Sequence, residues 1–327
     1  MNLKLKLFIF ITLIFTGFNS CINDLLVSPV EELIIQKSDT SAVKNSIHFF
    51  VLSDWGFNGS VGQRAVANSM ANTAKITGLD FILTCGDNFQ YQGVQSATDL
   101  LWNINYANVY NQSALNVPWY PALGNHDYAG NPDAQIEYSS VNKNWNLPSR
   151  YYTFTKKINE QAAIRFVVMD TQGFIKDVNN LTDANKIESI KQYAWLKNIL
   201  IGNRDKWLII TGHHPVYSSG YYHGDTPELK KFIKPLFDQY KVDFYICGHD
   251  HQFEHAKEPY QYTDYIVTGT GGLPRTTGKS LNTLFSLTSL GFTYINAHSN
   301  FLKLYFITEE GRVAYRFEKI KEISKRR

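Results

Sequence analysis

Residues 243–251 read DFYICGHDH. The run from Phe244 to Cys247 is apolar throughout and stops at a glycine, after which His249, Asp250 and His251 follow in quick succession. A short apolar run ended by glycine reads as a buried strand. His249 and His251 would lie on the same side of the segment if it continues extended.

Working outward, the same pattern recurs four times. IHFFVL leads into Ser53-Asp54-Trp55-Gly56, and LDFILTC into Gly86-Asp87-Asn88. VPWYPAL ends in Gly124-Asn125-His126-Asp127, and KWLIIT in Gly212-His213-His214-Pro215. Between them lie stretches with apolar residues at helical spacing: SVGQRAVANSMANTAKITG, ATDLLWNINYANVYN, IESIKQYAWLKNIL and TPELKKFIKPLFDQY. AAIRFVVMD is a further strand. Strands alternating with helices predict α/β layering. Toward the C-terminus YQYTDYIVTGT, FTYINAH, FLKLYFIT and RVAYRFEK succeed one another without a helix, which predicts a mostly antiparallel meander completing the sheets.

In α/β sheets, ligands gather outside the carboxyl ends of the strands. Each polar cluster alone has a plain reading. Asp54 can be a turn or helix cap, GNHD a hydrogen-bonded turn, and a histidine beside Pro215 a packed side chain. Five such clusters at five strand ends point instead to one site. Aspartate, asparagine and imidazole without thiolate suit Fe, Zn or Mn, and argue against Cu(I) and an all-oxygen calcium site. Six ligands exceed one four-coordinate zinc but serve two ions if one carboxylate bridges them, the arrangement for in-line displacement at phosphorus.

The ordered set DWG, GDNF, GNHD, GHHP and GHDH resembles the purple acid phosphatases, especially the small tartrate-resistant type, within the calcineurin-like metallophosphoesterases. The likeness runs from about His48 to Gly272. It implies an α/β fold of four αββα layers, two mixed sheets flanked by helices, with the metal site at the strand carboxyl ends. It further implies an acid phosphatase that hydrolyses phosphate monoesters by in-line attack of a metal-bound hydroxide. By position, Asp54 and His251 would bind the first metal, ferric in the family. Asn125, His213 and His249 would bind the second, divalent one (Fe, Zn or Mn), and Asp87 would bridge the two. His126 matches the histidine that contacts substrate and can protonate the leaving alcohol. His223 resembles a second active-site histidine, at a spacing from His213 about one residue longer. One position departs: the tyrosine of GDNFY, which ligates the first metal and gives the purple colour, is Gln90 here, with Tyr91 one step later. A colourless protein less selective for Fe(III) is therefore expected.

The remaining features are weaker. His214 and His255 read as loop, supporting or surface residues. Trp55, Tyr217, Tyr221 and Tyr222 either wall a cleft or pack around a loop. Thr268 to Pro274 (TGTGGLP) lacks the spacing of a nucleotide P-loop and reads as a tight turn. Asn58, Asn111 and Asn180 each begin an N-x-[ST] triplet.

Composition sets the outer bounds. Aromatic residues at 14% supply a large core and exclude disorder for most of the 327 residues. Three cysteines are too few for a disulfide framework, and Cys85 and Cys247 read as buried free thiols. The net charge of +3 is concentrated at the ends. Lys319 to Arg327 hold five basic groups and one acid, and Lys4 and Lys6 add two more, so the body between is mildly acidic. A nucleic-acid binder would carry its basic patch on that body; the terminal charges read as a solvated tail. Residues 1–21 pair two lysines with the apolar run Leu7 to Phe18, too short for a membrane span and patterned as an export signal. The segment resembles a lipoprotein signal whose lipidated residue would be Cys21, although Phe18 stands where leucine is usual. The expected organisation is a signal at 1–21, a tether at 22–45, a metallophosphoesterase domain at 46–320 and a basic tail at 321–327. Expected partners are two metal ions, a small phosphate ester and a membrane only through Cys21, with no nucleic acid as specific partner and a monomeric chain. Two other readings stay open: a phosphodiesterase or nucleotide hydrolase on the same fold, and a catalytically silent cell-surface binding module.

Overall fold

The apolar runs that end in the polar motifs pair as parallel strands in two sheets, as the resemblance implied. The structure, a computed structural model, describes residues 45–175 and 183–321. Expectations for the signal, Cys21, most of the tether, Asn180 and residues 322–327 lie outside the described residues. In the first sheet β1 (Ser46–Leu52), β2 (Phe81–Cys85) and β3 (Trp119–Ala122) run parallel. The meander β11 (Gly291–His298), β12 (Phe301–Thr308) and β13 (Val313–Ile320) extends it antiparallel, giving the order β13-β12-β11-β1-β2-β3.

The second sheet has the order β10-β8-β9-β7-β6-β5-β4. Its parallel centre is β5 (Ala162–Val168), β6 (Trp207–Thr211), β7 (Phe244–Cys247) and β9 (Asp264–Thr268). Antiparallel edges are added by β4 (Tyr152–Asn159), β8 (Phe253–Ala256) and β10 (Thr283–Leu287). The meander expected from the C-terminal strands therefore holds for β11 to β13. It fails for β9, which pairs parallel with β7 in the other sheet.

Two-residue periodicity sorts the side chains into layers. Trp207, Ile209, Phe244 and Ile246 face the inter-sheet core, while Leu208, Ile210, Tyr245 and Cys247 belong to the cluster on the opposite face. Between the sheets Phe49 stacks on Phe81 and Phe154 on Phe166, both at 4.8 Å between ring centroids, with Phe49 and Phe166 edge-on at 5.4 Å. Such offset and edge-to-face pairs add to plain burial. Helix α1 (Val61–Thr77) starts where the Ser60 side chain accepts the Gln63 N–H, and its Val66, Ala67 and Met70 join the first core. Helix α2 (Pro132–Val141) carries Tyr138 against Trp102. The outer face of the second sheet is covered by α3 (Gln172–Ile175), α4 (Asp183–Gly202), α5 (Pro227–Phe232) and α6 (Lys234–Tyr240), through Leu196, Leu229, Ile233 and Phe237. Helices thus flank two mixed sheets, the αββα arrangement.

Two helical expectations need correction. ATDLLWNINYANVYN forms only a wide helical turn at Trp102–Ala107. There the Asn105 side chain accepts the Asn58 N–H and its carbonyl accepts Gln63 Nε2, so polar groups compete with a regular helix. TPELKKFIKPLFDQY breaks into α5 and α6 at Ile233, because Pro235 lacks the N–H that a continuous helix would use.

The basic tail reading also fails for its first two lysines. Lys319 Nζ sits 2.6 Å from Asp264 Oδ2 and from the Tyr262 carbonyl, and Lys321 Nζ is 2.7 Å from both Asp243 oxygens. Asp264 also meets His255 Nε2 at 3.0 Å and Lys257 Nζ at 3.0 Å. His255 is accordingly a buried structural residue and not a surface one. Burial alone would raise the Asp264 carboxyl, but His255 and Lys319 outweigh it and hold it at about 2. Burial pulls Lys319 below its ordinary value against the lift from Asp264. The carboxylate has three such partners and the ammonium essentially one carboxylate, so the acid side of the profile reports the lock.

A carboxyl depressed in the fold stabilises above its unfolded value of ~3.9 and loses that contribution as pH falls toward 2. Thermal unfolding should show Asp264→Asn less stable than wild type by about 2 kcal/mol at pH 6, with the gap closing by pH 2. A gap that stays constant across that range would contradict the assignment.

Candidate metal centre

The carboxyl ends of β1, β2 and β3 in one sheet and of β6 and β7 in the other supply every residue of the proposed ligand set. Three of them break the usual backbone rule. Asp54, Asp87 and His249 have φ of 54°, 49° and 68°. Non-glycine residues pay about 1–3 kcal/mol in such sparsely populated backbone regions and tend to mark functional sites. The loops hold one another in this shape: Asp54 N–H donates to the Gly86 carbonyl at 3.1 Å and Gly248 N–H to the His213 carbonyl at 3.0 Å. Glycine precedes the ligands for a steric reason. A Cβ at Gly124 would lie 2.2 Å from Asp87 Oδ1, and one at Gly248 2.3 Å from Asp54 Oδ2. His249 and His251 reach the site through a bend with a left-handed residue, and not along the extended segment that the sequence suggested.

The donor atoms face one another. His251 Nδ1 lies 2.8 Å from the Leu273 carbonyl, so it carries the proton and Nε2 presents a lone pair 3.3 Å from Asp54 Oδ1. That oxygen is buried and makes no hydrogen bond. His213 Nδ1 donates to the Cys85 carbonyl at 2.9 Å. Its Nε2 then faces Asn125 Oδ1 at 3.0 Å, His249 Nδ1 at 3.1 Å and Asp87 Oδ2 at 3.4 Å. Oxygen and nitrogen lone pairs at these separations repel unless a proton or a metal cation lies among them. The donor set fits two cations: Asp54 and His251 on one side, Asn125, His213 and His249 on the other, with Asp87 within reach of both Asp54 and His213.

The electrostatics agree. Burial would raise Asp54, but His251 and His213 overcome it and hold the carboxyl below its usual range. Burial would lower His213, yet the Asp87 and Asp54 carboxylates lift it to about 9. The cluster thus draws a positive charge inward, and a metal on Nε2 would take the place of that proton. Burial, joined by His213, His214 and His223, lowers His249, which keeps it neutral.

His126 and His223 both line the same cavity of about 80 Å³. His126 N–H donates to Asp87 Oδ1 at 2.9 Å, and its Nε2 lies 4.0 Å from Asp87 Oδ2. His223 stands at the mouth with its ring 3.9 Å from that of His249. His214 is buried beneath, bonded through Nδ1 to Thr171 Oγ1 at 2.8 Å and packed 4.4 Å from the His249 ring. Gln90 is buried and its amide donates to Asp87 Oδ2 at 3.3 Å. Tyr91 is 60% exposed and packs edge-on against Phe57 and His126.

Of the four aromatic residues offered as cleft walls, Trp55 and Tyr217 are buried packing residues, whereas Tyr221 and Tyr222 are exposed. The glycine-rich turn packs against the first loop, with Gly271 N–H donating to the Ser53 carbonyl at 2.9 Å. Cys85 and Cys247 are free and buried.

Sequence reasoning passed over three residues that shape the site. Asp127 accepts from Gly124 N at 2.8 Å, Phe89 N at 3.1 Å and Gln135 Nε2 at 2.8 Å, tying the GDN loop to the GNHD loop. Burial and the nearby Asp87 push its carboxyl up to about 7 against those hydrogen bonds. Asp250 Oδ2 accepts from Ser218 Oγ at 2.5 Å and Gly224 N at 3.0 Å, which fixes the loop carrying His223. Arg275 lines the cavity itself. The first two stand inside the motifs GNHD and GHDH and were readable there; Arg275 has no motif.

Comparison with known proteins places this geometry. A family model described as calcineurin-like phosphoesterase matches residues 47–253. Tartrate-resistant acid phosphatase type 5 of Rattus norvegicus is 32% identical over 246 residues, covering 71% of this chain and 74% of the relative. A solved structure described as GAP50, the anchor in the inner membrane complex of Plasmodium, superposes with a TM-score of 0.76 at 26% identity, covering 85% of this chain and 90% of the other. Purple acid phosphatase PPD1 from yellow lupin (Lupinus luteus) seeds shares the fold, with a TM-score of 0.64 at 18% identity over 85% of this chain and 54% of the other. The family match spans more than half of the sequence, and the rat relative exceeds 30% identity over more than two thirds of its own length, so the chain belongs to the calcineurin-like phosphoesterases, with tartrate-resistant acid phosphatases among its relatives.

Proposed function

We propose that this protein is an exported two-metal acid phosphatase acting on phosphate monoesters. The observation that carries the reading is the set of inward-facing lone pairs on Asp54, Asp87, Asn125, His213, His249 and His251 around one small polar cavity. When bound, the two cations supply charge neutralisation for a phosphoryl group and acidify water. Asp54 and His251 would hold the first and Asn125, His213 and His249 the second, with Asp87 shared between them. His126 is partly exposed at the cavity and presents its imidazole to the departing alcohol. The cavity is far below the ~300–1,000 Å³ of a pocket enclosing a whole drug-sized ligand. On this reading it takes the phosphoryl group and leaves the alcohol outside, whatever that alcohol is.

Gln90 decides the metal reading. Its neutral amide binds Asp87 where a phenolate would add negative charge to the first metal position. With one anionic ligand fewer, that position favours a divalent ion, Fe(II), Zn or Mn, over Fe(III). The iron-loaded protein should show no visible charge-transfer band. A band that is present in wild type and lost in Tyr91→Phe would overturn this.

The export signal and Cys21 lipidation remain part of the proposal, supported by the run Leu7 to Phe18. Among the described residues no helix is long and apolar enough to cross a membrane. Mass spectrometry of the mature N-terminus should find a lipidated Cys21 in wild type and none in Cys21→Ser; an unmodified residue in the wild type would remove the anchor.

Asp87→Asn should reduce bound metal to well below the wild-type ratio by elemental analysis and cut aryl phosphate turnover at least about 1,000-fold. Unchanged metal content and rate would sink the bridging role. Faster turnover of a bis-aryl phosphate or cyclic nucleotide than of an aryl phosphate would assign the enzyme to diesters. The likeness to an anchor protein gives the silent-module reading its support. Absence of turnover after reconstitution with Fe, Zn or Mn would favour it.

A further inference from the structure

Arg275 shares the wall of the cavity with Asp87, Asn125, His126, His223, His249 and His251. Its main-chain N–H donates to the His251 carbonyl at 2.7 Å, so the residue is anchored to a candidate metal ligand by its backbone. Its Nη1 lies 3.2 Å from His223 Nε2, and a guanidinium has donors only, so the imidazole accepts. The guanidinium carbon stands 5.1 Å from the centre of the Tyr222 ring, within cation–π range. Backbone, imidazole and aromatic ring together hold a permanent positive charge at the mouth of the site.

Among the described residues that charge has no carboxylate partner. Asp250, which precedes His251, is engaged by Ser218 Oγ and Gly224 N. The ligand set carries only the negative charges of Asp54 and Asp87, and two divalent cations would leave it net positive. A guanidinium fixed beside such a centre adds to the excess unless an anion spans the two. The planar donor fork of arginine matches phosphoryl oxygens.

We propose that Arg275 is the outer clamp for the substrate phosphoryl group and sets the preference for monoesters over diesters. This rests on the phosphatase reading above and deepens it. An ionised monoester presents three non-bridging oxygens and up to two negative charges. A diester presents two oxygens and one charge, and places its second alcohol where Arg275 would otherwise reach oxygen. Loss of the guanidinium therefore weakens monoesters more.

The test uses the metal-loaded full chain with Arg275→Ala and Arg275→Lys, both of which keep the main-chain bond to His251. For Arg275→Ala, kcat/KM for an aryl phosphate should fall about 10- to 100-fold, the range of a charge-assisted hydrogen bond, mostly through KM. For a bis-aryl phosphate the fall should be about 3-fold or less. The Kd of inorganic phosphate, measured by calorimetry, should rise by a factor similar to the monoester loss, with metal content unchanged by elemental analysis. Arg275→Lys keeps the charge without the fork and should recover part of the loss. Equal losses on both esters, or a phosphate Kd that Arg275→Ala leaves unchanged, would overturn the proposal. If the wild type turns over neither ester, the phosphatase reading fails by itself. The phosphate titration then decides Arg275 separately, and a wild type that binds no phosphate also overturns the clamp.

Discussion

Lone pairs buried face to face are the constraint on which this structure depends. Asp54 Oδ1 against His251 Nε2, and His213 Nε2 against Asn125, Asp87 and His249, are arrangements that call for positive charge between them, supplied by a proton on His213 or by metal cations. Much of the surrounding architecture follows from holding them there. The backbone carbonyls of Cys85 and Leu273 fix which imidazole nitrogen is protonated. Asp127 and Asp250 are spent on loop geometry and not on chemistry. Three ligands accept left-handed backbone, and the glycines beside them leave room for carboxylate oxygens.

The fold was legible wherever one face of a strand decided its neighbours. Apolar runs such as WLIIT and FYIC are long enough to be buried on both faces, and their polar endings marked where the chain would gather. Reading failed where polar side chains competed with regular structure, as at Asn105, or where tertiary pairing overrode order along the chain, as for β9. The short strands β8 and β10 carry too little periodicity to stand out from the loops around them. In the candidate site, the residues at motif positions were visible because a rare residue type recurred at a fixed place. Arg275 was invisible because an arginine in a surface loop is ordinary until the fold brings it to a cavity. The backbone of His249 and His251 was misread for a related reason: nothing in GHDH distinguishes a bend from an extended run.

The same comparison corrects the charge pattern. Lys319 and Lys321 looked like the start of a solvated basic tail, yet they close the last strand onto Asp264 and Asp243. A count of charges along the chain cannot separate a lysine that meets water from one that meets a buried carboxylate. His255 shows the converse: a histidine four residues from a ligand belongs to this lock and not to the centre.

The candidate ligands are divided between two sheets, three strand ends from one and two from the other. Neither half alone assembles either metal position with its bridge. A centre divided in this way would add a cross-link between layers that already meet through the aromatic core and through polar contacts such as Lys319 with Asp264 and Trp207 Nε1 with the His298 carbonyl. It would not be complete before those layers have docked, so metal capture would fall at the end of folding. The ions the protein carries would then record the compartment in which its two halves closed, whatever the ions present where the chain was made.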